Sequence, residues 1–200
     1  VITPAIAREI AQSAGIAADF VEADVYDAAE ALGVNSFDLV YTGVGALVWL
    51  PDIRRWAEVV ARLLRPGGRL FLREGHPMLW AMDYRSPDGE IRLRFSYFEQ
   101  DAPDVIDEPG TYVDPDAEFT HNVTHSWNRG LGEIITALMD HGMRLTMLVE
   151  HDSVPWEAIE GGVMAPEDDH GEHRLRDRPE RLAQSYTLQA VKEPPARASS

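Results

Sequence analysis

Residues 37–77 read FDLVYTGVGALVWLPDIRRWAEVVARLLRPGGRLFLREGHP, and they decide the fold. Phe37 to Tyr41 is a short run of bulky and β-branched residues around one acid, which suits a buried strand, and Thr42-Gly43-Val44-Gly45 then breaks the regularity. Asp52 is placed to cap a helix in which Ile53, Trp56, Val60, Leu63 and Leu64 recur at helical spacing as one apolar stripe. Pro66-Gly67-Gly68 ends that helix, because proline cannot continue it and glycine takes up the turn, and Arg69 to Arg73 resumes as a strand. The unit is β-α-β. Such a crossover makes its strands parallel, and ligands of open parallel sheets sit beyond the carboxyl ends of the strands. Here those ends are Thr42-Gly43 and Glu74-Gly75-His76.

Around this unit the chain has 200 residues, enough for one domain with a real core, and 44% hydrophobic against 26% charged residues is an ordinary globular balance. The net charge of -16 opposes a phosphate backbone or an anionic membrane. The longest basic cluster, Arg174 to Arg181, is interleaved with Asp177 and Glu180, so no nucleic-acid partner is expected. There is no cysteine, which removes disulfides, thiolate metal sites and cysteine nucleophiles. No apolar run is long enough to span a bilayer and no export signal opens the chain, so the expected location is cytoplasmic.

Upstream, Thr3-Pro4 starts a helix whose face is Ile6, Ile10 and Ala14, stopped by Gly15. Asp19 to Val25 alternates enough to predict a strand ending in Asp24-Val25-Tyr26-Asp27. Downstream, Ser86-Pro87-Asp88-Gly89-Glu90 is a turn signal whose flanks, Trp80 to Tyr84 and Ile91 to Glu99, are expected to pair as a hairpin. Residues 100–116 are acidic and proline-rich, the composition of a loop. Phe119 to Trp127 alternates with the period of a strand. That period separates His121 from His125 by about 13 Å at roughly 3.3 Å per residue, which argues against a shared metal and for one or both imidazoles lining a pocket. Gly130 to His141 is helical by spacing, Arg144 to Glu150 a strand, and Ser185 to Val191 a closing strand with Tyr186, Leu188 and Ala190 on one side. Residues 151–184 read as a polar loop; its acids and histidines at 167–173 are read as solvated charge, with no metal site expected. Residues 192–200 are expected to be a disordered tail.

The run D-L-V-Y-T-G-V-G-A-L, then W-L-P-D, then L-L-R-P-G-G-R-L-F-L-R-E-G-H-P resembles the fourth and fifth strand region of the class I S-adenosylmethionine-dependent methyltransferases, particularly bacterial small-molecule ones. The resemblance implies an α/β, Rossmann-like sheet, mostly parallel with its last strand antiparallel, over one domain at 1–191 with an inserted β-rich cover segment at 78–129. It implies S-adenosyl-L-methionine as cofactor and a small-molecule substrate. Asp24 and Val25 then occupy the place that holds the adenine, although Asp24 also suits a simple cap of the next turn. Thr42 and Gly43 would line the methionine end, unless these glycines only turn the chain, and Trp49 would cover the adenine edge or sit in the core. Glu74 and His76 are the candidate base or orienting groups, the alternative for Glu74 being an acid paired with Arg73. Tyr97, His121, His125 and Trp127 fall in the segment expected to cover the substrate.

The family's glycine-rich turn after its first strand, and the acid ending its second, have no counterpart here, and Val1 matches a point just after that second strand. The first β-α-β unit is therefore expected to be absent, leaving the strand at Asp19 separated from that at Phe37 by about 14 Å at 4.8 Å per spacing. Either upstream residues fill the gap, or a second copy does so in a homodimer, or the strands re-pair in a shorter sheet. Two functions follow: methyl transfer to a small molecule, or a non-catalytic methyltransferase-like binding or oligomerisation module.

Overall fold

In the computed structural model, which describes residues 4–107 and 122–194, the chain opens with helix α1 (Pro4–Ser13) and the short α2 (Ala28–Leu32). The decisive unit follows as β1 (Phe37–Thr42), α3 (Ile53–Leu63) and β2 (Leu64–Gly75). Next come α4 (Pro77–Trp80), β3 (Asp104–Asp107), β4 (Val123–Ser126), α5 (Leu131–Asp140) and β5 (Met143–His151). The short pair β6 (Ser153–Val154) and β7 (His173–Arg174) precedes the closing β8 (Ser185–Lys192). One sheet runs in the order β1-β2-β8-β5. β1 and β2 are parallel and β8 is antiparallel to both β2 and β5, so three strands point one way and the closing strand the other.

The local signals explain these elements. Asp52 Oδ1 accepts the N–H groups of Arg54 and Arg55, both at 2.9 Å, and so starts α3. The stripe Ile53, Trp56, Ala57 and Val60 is buried together with Ile134, Ala137 and Leu138 of α5, against Leu70 and Leu72 of β2 and Tyr186, Leu188 and Ala190 of β8. Both helices therefore cover the same sheet face. After α3 the chain turns at Gly67, φ +82°, a value that L side chains rarely adopt. The register of β1 on β2 shifts across it, Phe37 facing Leu64 and Leu39 facing Arg69.

Several expectations are corrected. Asp19 to Val25 is not a strand; it runs without ladder partners into a 3-10 turn at Val25–Asp27. Strand alternation produces a strand only where a neighbour takes up the N–H and C=O groups, and among the described residues β1 pairs with β2 alone. β1 is accordingly an edge strand and not a buried one, with Leu39 52% and Tyr41 62% exposed. The expected hairpin at 80–99 reduces to a single bridge between Met82 and Leu93, because Pro77–Trp80 is taken into α4. The acidic loop contains β3, which pairs with β4 from Asp104↔Ser126 to Asp107↔Val123. β4 covers Val123–Ser126 of the strand expected over 119–127, and Phe119 to His121 lie outside the described residues.

The polar excursion at 151–184 is also packed. Val154, Ile159, Met164, Leu175 and Leu182 form a second buried cluster with Leu79 and Met82. Several of its acids are tied to arginines: Asp168 pairs with Arg174 and accepts the N–H groups of His170 and Glu172, and Glu172 meets Arg73 at 2.7 Å.

Candidate functional site

The carboxyl ends of β1 and β2 are bridged by Glu74. Its side chain, 2% exposed, reaches back across the sheet to the loop after β1. Oε1 accepts the N–H groups of Gly45 at 2.5 Å and Gly75 at 2.7 Å; Oε2 accepts those of Ala46 at 2.8 Å and Leu47 at 2.9 Å. Burial pushes this carboxyl above the ordinary glutamate range, and the four donors pull against that shift. All four lone-pair positions of the carboxylate are occupied.

The same loop is held from its other side. Val48 C=O accepts the Trp127 N–H at 2.8 Å, and Leu47 C=O accepts Arg129 Nη1 at 3.5 Å. The Arg129 guanidinium, itself buried, is paired with Glu99 at 2.7 Å and reaches Trp127 C=O at 3.3 Å. Asn128 binds the C=O groups of Pro77 and Ser96, both at 2.8 Å, which ties the start of α5 to the segment after β2. The loop 45–48 is thus clamped by a carboxylate on its N–H groups and by backbone and guanidinium donors on its C=O groups.

His76 is 4% exposed and has a fixed tautomer. Nδ1 accepts the Met78 N–H at 3.0 Å, capping α4, so Nε2 carries the proton and donates it to Glu150 at 2.9 Å. Burial holds the imidazole below its usual pKa, with Glu150 opposing. Arg73 is committed to Glu172, so Glu74 is not its partner.

On the other side of the loop, Asp24 Oδ1 accepts the Tyr26 N–H at 2.8 Å, the cap that its sequence also suggested. Oδ2 has no partner among the described residues. Tyr26 carries the turn onto the start of α3: its hydroxyl accepts the Asp52 N–H at 2.8 Å and donates to Asp52 C=O at 3.2 Å, and Arg55 lies 4.5 Å from its ring centroid. Asp24, Val25, Thr42, Gly43 and Trp49 therefore belong to segments joined at one end of the sheet.

A cleft of about 740 Å³ opens beside the loop, bounded by Gly45, Val48 and Trp49, by Trp80 and Trp156, and by Asp104, Ile106 and Ser126 of β3 and β4. This settles the face of the cover strand. The cleft side of the ladder carries Asp104, Ile106 and Ser126, whereas His125 pairs with Val105, which is 59% exposed, on the opposite face. His125 does not line the cleft, because a period-2 strand sends neighbouring side chains to opposite faces. Trp127 instead bounds a space of about 20 Å³ shared with Glu74, Arg129 and Tyr186. Tyr97 packs on Gly130 at the start of α5, where an added Cβ would stand 2.7 Å from its ring. His121 lies outside the described residues. Arg129, Trp80 and Trp156 escape a reading of sequence alone: Arg129 carries no motif, and the two tryptophans are 76 positions apart and stack at 5.7 Å.

Residues 3–72 match the family model of the methyltransferase domain. Solved S-adenosylmethionine-dependent methyltransferases share the architecture. That from Mesorhizobium loti is 22% identical with a TM-score of 0.56 over 94% of this chain and 74% of its own. That from Methanosarcina mazei is 16% identical with a TM-score of 0.57 over 95% and 77%, and that from Clostridium acetobutylicum is 12% identical with a TM-score of 0.55 over 95% and 71%. This is the class I S-adenosylmethionine-dependent methyltransferase fold. No curated protein sequence matches the chain. The Glu74 clamp joins the carboxyl ends of β1 and β2, the parallel pair of this sheet.

Proposed function

We propose that the chain acts in methyl transfer from S-adenosylmethionine to a small molecule. The observation that carries this reading is the loop at Gly45–Leu47, fixed by Glu74 at the carboxyl ends of two parallel strands and bordered by a cleft of substrate size. The donor set fits the adenine end of the cofactor. Asp24 keeps one carboxylate oxygen unpaired to accept from an exocyclic amine, and the Val25 N–H beside it suits a ring nitrogen. Thr42, with a small side chain, and Gly43, with none, allow close approach, and Trp49, 54% exposed, offers a ring face. When bound, S-adenosylmethionine supplies an electrophilic methyl group whose leaving group is a neutral thioether.

The chain's own work in this reading is positioning. An in-line displacement needs its nucleophile aligned, and a base only where the nucleophile starts protonated. Glu74 and His76 hold the loop and the start of α4 and have no free acceptor position, so they act as positioning residues. Titration of the complete protein with S-adenosylmethionine and S-adenosylhomocysteine by calorimetry tests the reading. Micromolar binding of both is expected. Absence of binding overturns it and leaves the non-catalytic module.

A further inference from the structure

The composition of the cleft wall identifies what it takes. Five aromatic rings line it, from Trp49, Trp80, Tyr84, Phe95 and Trp156. Four of them form two stacked pairs: Trp80 with Trp156 at 5.7 Å and 22°, and Tyr84 with Phe95 at 6.1 Å and 3°. Flat walls of this kind favour a planar apolar ligand. Charge is unequal. Among the described residues, the lining contains the carboxylates of Asp104, Glu157 and Glu160 and no lysine, arginine or histidine.

None of these three carboxylates has a hydrogen-bond or ion-pair partner among the described residues, whereas other acids of this region are engaged. Asp168 is tied to Arg174, Asp152 to Arg174, Glu172 to Arg73, and Asp83 to Arg94. The rings, moreover, already accept cations. Arg94 stands 5.0 Å from the Phe95 centroid and 5.7 Å from that of Tyr84, within the reach of a cation–π contact.

We infer that the acceptor substrate is a planar aromatic molecule bearing a cationic amine, its ring held between the aromatic walls and its ammonium met by Asp104, Glu157 and Glu160. This rests on the methyl-transfer reading for the word acceptor; the binding preference itself does not. A neutral aromatic would gain the same stacking but leave the carboxylates facing its apolar surface. An anion would meet three like charges on a chain of net charge -16. Only a cation satisfies both walls. The ammonium here is a recognition handle, and the methylated atom is a separate matter of alignment at the loop.

The test uses three indoles of similar size and different charge on the full 200-residue chain, titrated by calorimetry at pH 7 without cofactor: tryptamine, neutral 3-propylindole and anionic indole-3-propionate. Tryptamine is expected to bind at least tenfold tighter than either, with the advantage shrinking as salt is raised. In the variant Asp104→Asn/Glu157→Gln/Glu160→Gln the advantage is expected to vanish while the thermal midpoint is kept, since the three side chains make no hydrogen bond or ion pair among the described residues. Equal or tighter binding of the neutral or anionic indole overturns the inference. So does a preference that survives the triple substitution, or no tryptamine binding at millimolar concentration. A parallel titration of the complete protein with S-adenosylhomocysteine separates the two readings: its failure beside an intact amine preference removes methyl transfer and keeps the cleft assignment, and the reverse result removes only the amine.

Discussion

The carboxylate of Glu74 holds the N–H of Leu47 at 2.9 Å across 27 positions of sequence, and through it the end of β2 dictates the shape of the loop after β1. A buried carboxylate with four N–H donors is a cap in function: it satisfies backbone groups that a sharp turn at the sheet's end would leave unpaired.

Glu74→Gln should therefore act on stability first. The amide turns one acceptor oxygen into a donor facing donors, so two bonds are lost and two backbone N–H groups are left unsatisfied. A loss of about 3 kcal/mol is expected, the sum of such terms at roughly 1–3 kcal/mol each. Urea denaturation measures it. A variant of unchanged stability that loses only methyl transfer would make Glu74 a catalytic residue instead.

His76 sets a pH dependence whose sign follows from its pKa, which burial lowers in the folded state. The unfolded chain then takes up a proton near the ordinary value of about 6.5 while the folded chain does not. Stability from this residue is full above that value and declines as the pH falls toward the depressed folded pKa. The variant His76→Asn keeps an acceptor for the Met78 N–H but cannot titrate. Thermal unfolding at pH 5 and pH 7.5 should show the wild type losing more on acidification than the variant, and an equal loss in both would rule the mechanism out.

Ile159 is fully buried in the second cluster. Its replacement by alanine should cost about 3 kcal/mol, within the usual 2–5 kcal/mol for a large aliphatic core side chain. A solvated loop predicts a change within about 0.5 kcal/mol, so one denaturation curve decides whether 151–184 is part of the folded core in solution.

Asp24→Ala should weaken S-adenosylhomocysteine binding about tenfold or more, as expected for a hydrogen bond to a charged acceptor worth roughly 1.5–3 kcal/mol. Asp24→Asn should recover part of it, since its carbonyl oxygen can still accept. An unchanged dissociation constant in the alanine variant would leave Asp24 as the cap of Val25–Asp27 alone.

What the sequence by itself determined lies within single elements. The cap at Asp52, the stripe from Ile53 to Val60, the turn at Gly67 and the buried alternation of Tyr186, Leu188 and Ala190 each rest on spacing within one element, and each stands as expected. Tertiary structure decided whatever depends on a partner far along the chain. Residues 19–25 have strand alternation but no neighbouring strand among the described residues, so the pattern produces none. His125 and Ser126 differ by one position, and only the pairing with Val105 and Asp104 settles which of them faces the cleft. Val154, Ile159, Met164 and Leu175 have no regular period, and they become a core only when Leu79 and Met82 are brought against them. Glu74 looks from sequence like an acid at a ligand-binding edge. Its four N–H partners, three of them about 30 positions away, exist only once β1 and β2 lie side by side, since a side chain's role is set by the groups that surround it in space.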